Sequence, residues 1–302
     1  MKNKYIAIPV MLVLALASTS AMAKLNVFAC EPEWGALVQE LGGDQVEVYT
    51  ATTALQDPHH IQARPSLIAK ARRADLLVCN GGGLEIGWLP VLLRSAGNAN
   101  IQQGQPGYFM ATEQVELLEK PQVIDRAMGD VHAEGNPHIV TDPNMILRVA
   151  HGLTPVLAQL DAAHADYYQA RHSAFSKRWQ QAVLKWEQQA APLKGVRVVV
   201  QHDNWVYLFH WLGLEQAAVM EPVAGISPST GHLASLVSGL KGHPARLVIR
   251  AAYQEPRPAQ WLGEHLQIPV VELPFTVGGV AGADDLFGLY QVTVDRLLEA
   301  VK

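Results

Sequence analysis

The sequence predicts an α/β protein in which parallel sheets covered by helices are built twice and joined by a long helix. Three observations carry this reading. Short β-branched runs alternate with longer helical patterns, as they do in βα units. The alternation occurs once before residue 100 and again after residue 195. Between the two lies a strongly helical stretch, Asp142 to Ala191, with Pro143 at a first-turn position.

In the first half, strands are expected near Leu25 to Cys30, Val46 to Thr50 and Asp75 to Cys79, with helices near Trp34 to Leu41, Pro65 to Arg73 and Ile86 to Ser95. Gly104 to Gly135 holds Pro106, Gly107, Pro121 and Gly129 and reads as mainly loop. In the linking stretch, Thr154-Pro155 suggests a break. Ala162 to Ala190 contains neither Gly nor Pro, and such a helix would run roughly 40 Å at 1.5 Å per residue, enough to span the back of two lobes. In the second half, strands are expected near Val196 to Gln201, Ala217 to Met220, Arg246 to Arg250 and Pro269 to Glu272, and a final helix from Leu286 to Val301. The implied division is a leader over 1–23, a first lobe over 24–143, linking helices over 144–191 and a second lobe over 192–302.

The N-terminus has the layout of a secretory signal: Lys2 and Lys4, an apolar run from Tyr5 to Ala17, then Ala21-Met22-Ala23 before Lys24. That run is shorter than the ~20 residues of a spanning helix, so a cleaved signal and a periplasmic protein are expected. Losing two lysines takes the formal charge from −5 to −7, which argues against nucleic acid and suits a small cation. The two cysteines, Cys30 and Cys79, each follow a strand-like run. If those strands are neighbours the thiols can pair; otherwise they are small buried hydrophobes.

Chemistry concentrates in the 12 histidines. His59 stands in Asp57-Pro58-His59-His60 and His138 in Asn136-Pro137-His138, each presented by a proline-stiffened turn. His202 follows the buried-looking strand Val198 to Gln201, at the edge where open α/β folds bind ligands. Asp203 or Asn204 then suits a cap for a helix from Trp205 to Leu212, ended by Gly213. Three imidazoles suit zinc, copper, nickel or iron and leave one position for a carboxylate or water. Asp284 and Asp285, after Gly282-Ala283, suit either that position or a helix cap. Asp57 reads as a turn-former, Glu85 as a helix-start acid, and Glu113, Glu116 and Glu119 as a solvated face.

Taken in order, Asp57-Pro58-His59, Arg73 to Val78 with Asn80 to Glu85, Asn136-Pro137-His138 with Asp142-Pro143, Gln201-His202-Asp203 and Gly282-Ala283-Asp284 resemble the motifs of the zinc and manganese substrate-binding proteins of ABC importers. The resemblance covers essentially the whole mature chain. It implies two doubly wound lobes with the metal in the cleft between them. It also implies His59, His138, His202 and Asp284 as ligands, Zn2+ as transported cargo, and a monomer that delivers it to a membrane permease; the sequence leaves open whether a periplasmic metallochaperone loads it.

Manganese-type members usually carry glutamate where His202 stands, so the third imidazole favours zinc. Family spacing to Pro65 favours His59 over His60. Many zinc members carry a long histidine-rich loop in the first lobe; the corresponding stretch here offers only His132 and Glu134. A zinc-dependent hydrolase with an open coordination position is the alternative, against which stands the lack of a His-Glu-x-x-His motif.

Overall fold

The computed structural model describes residues 23–123, 125, 129–130 and 132–302. The signal-like segment therefore lies outside the described residues, apart from Ala23. Among the described residues no helix is long and apolar enough to cross a membrane.

The first lobe is a parallel sheet of four strands, β1 (Leu25–Ala29), β2 (Val46–Thr50), β3 (Leu76–Cys79) and β4 (Tyr108–Met110), in the order β2-β1-β3-β4. The second repeats the topology with β5 (Arg197–Val200), β6 (Glu215–Val219), β7 (Leu247–Ala251) and β8 (Val270–Leu273), in the order β6-β5-β7-β8. Around them lie α1 (Pro32–Gly42), α2 (Pro65–Ala71) and α3 (Leu89–Ala96) in the first lobe. The second lobe carries α6 (Val206–Leu212), α7 (Thr230–Gly239), α8 (Pro256–Leu266) and α9 (Leu286–Ala300). The linking helices are α4 (Pro143–Leu160) and α5 (Ala165–Ala190).

Side chains alternate across each strand, so each sheet has two apolar faces. Val27, Ala29, Leu76 and Val78 face one core with Trp34 and Leu37 of α1, while Phe28, Leu77 and the cysteines face another with Leu67 of α2 and Leu92 of α3. In the second sheet, Val198, Val200, Leu247 and Ile249 join the same core as α1, and Val199 and Val248 pack under Leu233 of α7 and Leu262 of α8. The inner faces of both sheets and the linking helices thus share one continuous core. Its centre is aromatic: Trp179 of α5 packs edge-to-face on Phe287 and Tyr290 of α9, Trp186 lies tilted against Tyr290, and Trp179 Nε1 donates to the Pro143 carbonyl at 2.8 Å. An interlobe tie is also polar, since Glu33 accepts from the Thr276 hydroxyl and its own backbone N–H donates to that oxygen at 3.2 Å.

Some expectations are corrected. Strand β4 lies in the stretch read as loop; at three residues it has no periodicity to detect. Gly107 precedes it because the Asp75 and Asn100 carbonyls approach where a Cβ would stand. Helix α4 runs through Pro155 to Leu160. The break falls at Asp161, whose carboxylate bonds His164 Nδ1 at 2.8 Å and the Tyr168 hydroxyl at 2.6 Å, so α5 starts at Ala165 rather than Ala162. Its 26 residues still give about 39 Å.

Helix α6 has no side-chain cap: Asp203 instead accepts from Gln216, and Asn204 donates to the Tyr253 hydroxyl. Glu85 is buried and accepts from the backbone N–H groups of Asn80 and Gly81, where a helix-start acid had been expected. Burial pushes its carboxyl up to about 7. Strands β1 and β3 are neighbours, and Cys30 and Cys79 are joined in a disulfide with Cα atoms 4.7 Å apart.

Candidate metal centre

The two X-Pro-His turns are built alike. Asp57 Oδ1 accepts from both the backbone N–H of His59, at 3.0 Å, and its ring Nδ1, at 2.8 Å. Asn136 Oδ1 does the same for His138, at 3.1 and 2.8 Å. In each case the side chain two residues upstream closes a turn and also orients the imidazole. A carboxylate can only accept, so His59 carries its proton on Nδ1 and turns a lone pair outward on Nε2.

Further bonds fix both turns. Trp88 Nε1 donates to the Pro58 carbonyl at 2.9 Å, Asn80 Nδ2 to the Pro137 carbonyl at 2.9 Å, and the Tyr207 hydroxyl to the Asn136 carbonyl at 2.8 Å.

His202 emerges just after β5, and its Nδ1 donates to Glu221 Oε2 at 2.7 Å. Glu221 follows β6, the neighbour of β5, and also accepts from the Gly225 N–H at 2.8 Å. His202 Nε2 is thereby left as a lone-pair donor. His138 Nε2 is buried and has no hydrogen-bond partner.

These three rings come together with a fourth. Ring centroids lie 5.5 Å apart for His59 and His138, 5.8 Å for His59 and His202, and 5.6 Å for His138 and His202. His132 joins them at 5.3 Å from His59 and 5.6 Å from His138. Its Nε2 is 3.3 Å from His59 Nε2, and ligand-type nitrogens of His59, His132 and His138 all lie within 4.8 Å of one another. Bonds of ~2.0–2.1 Å from zinc to imidazole nitrogens give a tetrahedral N···N edge of about 3.3–3.4 Å.

The group opens onto a cleft of about 140 Å³ between the lobes, rimmed by Glu119, Asp130 and Asp203. The segment before His132 reaches across it, through a parallel bridge of Gly129 with Ala224 and a bond from the Asp130 N–H to the Ala224 carbonyl.

The electrostatics suit a cation. Burial, then the neighbouring imidazoles, hold His138 well below its ordinary value, and the same causes push His132 down to about 3. Both are neutral across the physiological range. Burial lowers His202 too, but its bond to Glu221 and that carboxylate's charge outweigh it, so His202 ends above the ordinary value. Asp57, which burial alone would raise, is held below the ordinary range by the His59 bond and charge.

The remaining residues named from the sequence lie elsewhere. His60 is exposed, with Nε2 3.6 Å from Asp130. Glu134 is exposed as well. Asp284 is not brought to the imidazoles: it is exposed beside α5 and α9, in a depression lined by Trp186, Phe287 and Gln291. The reason is local. The Gly278 N–H bonds the Ala283 carbonyl, closing a tight loop, and Asp285 caps α9 by accepting from the Gly288 N–H at 2.7 Å. What meets His138 from this side of the second lobe is the ring of Phe275, at 5.8 Å. Cys30, Cys79 and Glu85 also lie close together, but the disulfide and the backbone bonds to Glu85 occupy their ligand atoms.

The model of the ZnuA family, described as the periplasmic component A of the zinc-uptake complex, matches residues 27–300. The manganese ABC transporter substrate-binding lipoprotein PsaA of Streptococcus pneumoniae is 23% identical over 269 residues, covering 86% of this chain and 82% of that protein. The high-affinity zinc uptake system protein ZnuA of Bacillus subtilis is 24% identical over 201 residues, covering 64% of this chain and 60% of that one. Among solved structures, a crystal structure of ZnuA superposes with a TM-score of 0.73 at 22% identity, covering 91% of this chain and 99% of that chain. A manganese-bound periplasmic metal binding protein from Candidatus Liberibacter asiaticus gives 0.74 at 17% identity, covering 92% and 100%. At these identities the structural likeness establishes the fold.

Proposed function

The chain belongs to the ZnuA family, the periplasmic component A of zinc-uptake complexes, and from that premise we propose that it captures one zinc ion on His59, His132, His138 and His202 and hands it to a membrane importer. As a family member it is a metal-binding, substrate-binding component of ABC-type uptake, a transport role rather than an enzymatic one. Its position outside the cytoplasm is supported by the family description and by the signal-like layout of residues 1–23.

The choice of zinc rests on one observation: among the described residues the ligand nitrogens of His59, His132 and His138 gather within 4.8 Å of one another with the His202 ring 5.6–5.8 Å from two of those rings, and no carboxylate belongs to that group. Relatives include both zinc and manganese proteins. Nitrogen donors favour zinc over manganese, whose preferred partners are oxygens. Four protein ligands also close a tetrahedral shell, so no position remains for the water that a hydrolase would activate. The metal is cargo in this scheme.

Because ligands come from both lobes, metal links them. The shared core and the rigid α5 restrict how far they can part.

The test is competition with a chromogenic chelator on the mature protein. One zinc should bind per chain, and manganese in large excess should fail to displace it. Equal binding of the two metals would overturn the assignment to zinc.

A further inference from the structure

Four neutral imidazoles bring a divalent ion no compensating charge, yet the ion must leave water for a largely buried site. Uncompensated burial of charge is costly. The outer partners of the rings bear on this cost. His138 is held by the neutral amide of Asn136, whereas His202 and His59 are held by carboxylates, Glu221 at 2.7 Å and Asp57 at 2.8 Å.

Neither acid has a lysine or arginine among its salt-bridge partners in the described residues; each is paired only with its histidine. Their two negative charges therefore match the charge of one divalent ion. They are also unequally shielded: the Glu221 side chain is 12% exposed and that of Asp57 38%.

We propose that Glu221, and more weakly Asp57, are positioning residues that neutralise the bound ion through His202 and His59 and so tune this site for divalent over monovalent late transition cations. The inference rests on the reading that these histidines hold the metal. It adds a selectivity device that the ligands alone do not supply, since imidazole accepts copper as readily as zinc.

Orientation and charge can be separated. In Glu221→Gln an amide oxygen can still accept from His202 Nδ1, as Asn136 does for His138, while the negative charge is gone. Coulomb energy scales with the product of the charges. Removing one negative charge therefore costs a divalent ion twice the free energy it costs a monovalent one at the same place. A role in orientation alone would cost both equally.

The experiment measures Zn2+ and Cu+ affinities of the mature protein, each with a competing chromogenic chelator, for the parent, Glu221→Gln, Asp57→Asn and His202→Ala. Cu+ is handled anaerobically with reductant. Loss of an outer partner typically weakens a metal by ~10–100-fold. Zn2+ affinity in Glu221→Gln should fall within that range, and Cu+ affinity by about half as many powers of ten. Asp57→Asn should show the same ratio with a smaller loss, because Asp57 is better screened. It serves in place of Glu221→Gln if that variant fails to fold by circular dichroism.

Equal losses for the two ions, or none for either, would overturn the proposal. His202→Ala separates the two levels: if it loses zinc while the carboxamide variants do not, the charge role falls and the ligand assignment stands. If His202→Ala also keeps its zinc, the ligand assignment itself is wrong.

Discussion

The two lobes share a strand order and supply the candidate centre in opposite ways. The first lobe and the segment leading to α4 offer three imidazoles, His59, His132 and His138, all from loops. The second offers one, His202, set just after a central strand and braced by an acid that follows the neighbouring strand. Loop presentation needs stiffening from elsewhere, and proline, the Asx-type bonds of Asp57 and Asn136, and Trp88 and Asn80 provide it. Strand presentation draws its rigidity from the sheet. A metal held by both is held by three contacts on one side and a single strong one on the other, so His202 is where the lobes are joined or released.

The sharpest way to break that asymmetry is to remove the single contact. Closed zinc sites bind with ~10–16 kcal/mol, so losing one of four ligands should cost about a quarter of that, on the order of 10²–10³ in affinity. His202→Ala should show this loss in chelator competition, and lose interlobe linkage as well. A comparable loss without any change in lobe separation, measured by small-angle scattering with and without zinc, would remove the special place given to His202.

The disulfide distinguishes the lobes in stability. Cys30–Cys79 ties β1 to β3 across a separation of 49 residues, and the second sheet has no counterpart among the described residues. Replacing both cysteines by serine should cost about 2–4 kcal/mol of stability, seen as a lower midpoint in denaturant, with zinc affinity little changed at low temperature. Unchanged stability would mean that the bond is not formed in the folded protein.

His132 is the most removable of the three first-half imidazoles, because water can take a fourth zinc position beside three histidines. His132→Ala should therefore weaken zinc less than His202→Ala, by about tenfold to a hundredfold. Asp284→Asn should leave affinity within about twofold, since the loss of an exposed carboxylate is well screened. If Asp284→Asn proved the more damaging, the fourth ligand would be the aspartate.

Acid should weaken binding in two stages. His202 lies above the ordinary imidazole value of 6.5, so it takes a proton first, and zinc affinity should start to fall at or above pH 6.5 by about tenfold per pH unit. His132, near 3, and His138, well below 6.5, stay neutral until lower pH.

Folding of the metal-free protein has the opposite sign at the two places. The raised His202 contributes stability that is present below the unfolded value and lost as pH rises through its folded value. The depressed His132 and His138 contribute stability present above about 6.5 and lost as pH falls toward their folded values. The buried carboxyls of Glu31, Glu33 and Glu85 oppose this, because burial raises them and their contribution is lost as pH rises toward their folded values, so from about pH 7 to 5 they offset the two imidazoles. The imidazole contribution is read by difference: the stability of the parent relative to His132→Ala should fall between pH 7 and 5, and a constant difference would contradict the buried placement of that ring.

Much of this was legible in the residues. The βα alternation gives both sheets, and the pairing of β1 with β3 brings the cysteines together. The two X-Pro-His turns are local, so their stiffness could be read directly, although the second role of Asp57 and Asn136 in orienting the rings could not. His202 followed from its place at a strand end.

His132 was noticed but not placed, because nothing in the aperiodic stretch around it indicates the cross-lobe bridge of Gly129 with Ala224. Asp284 lies away from the imidazoles for the converse reason. Its Gly-Ala-Asp setting looks like a ligand turn, and the same residues close a loop that gives α9 its cap. Glu221 carried no sequence signal: it sits 19 residues after His202 and reaches it only through the pairing of β5 with β6.

Zinc K-edge X-ray absorption on protein purified without a histidine tag reads an all-imidazole zinc site directly. Four nitrogen neighbours at about 2.0 Å, with the outer-shell scattering of four imidazole rings, are expected. Three imidazoles with an oxygen neighbour from a carboxylate would contradict it.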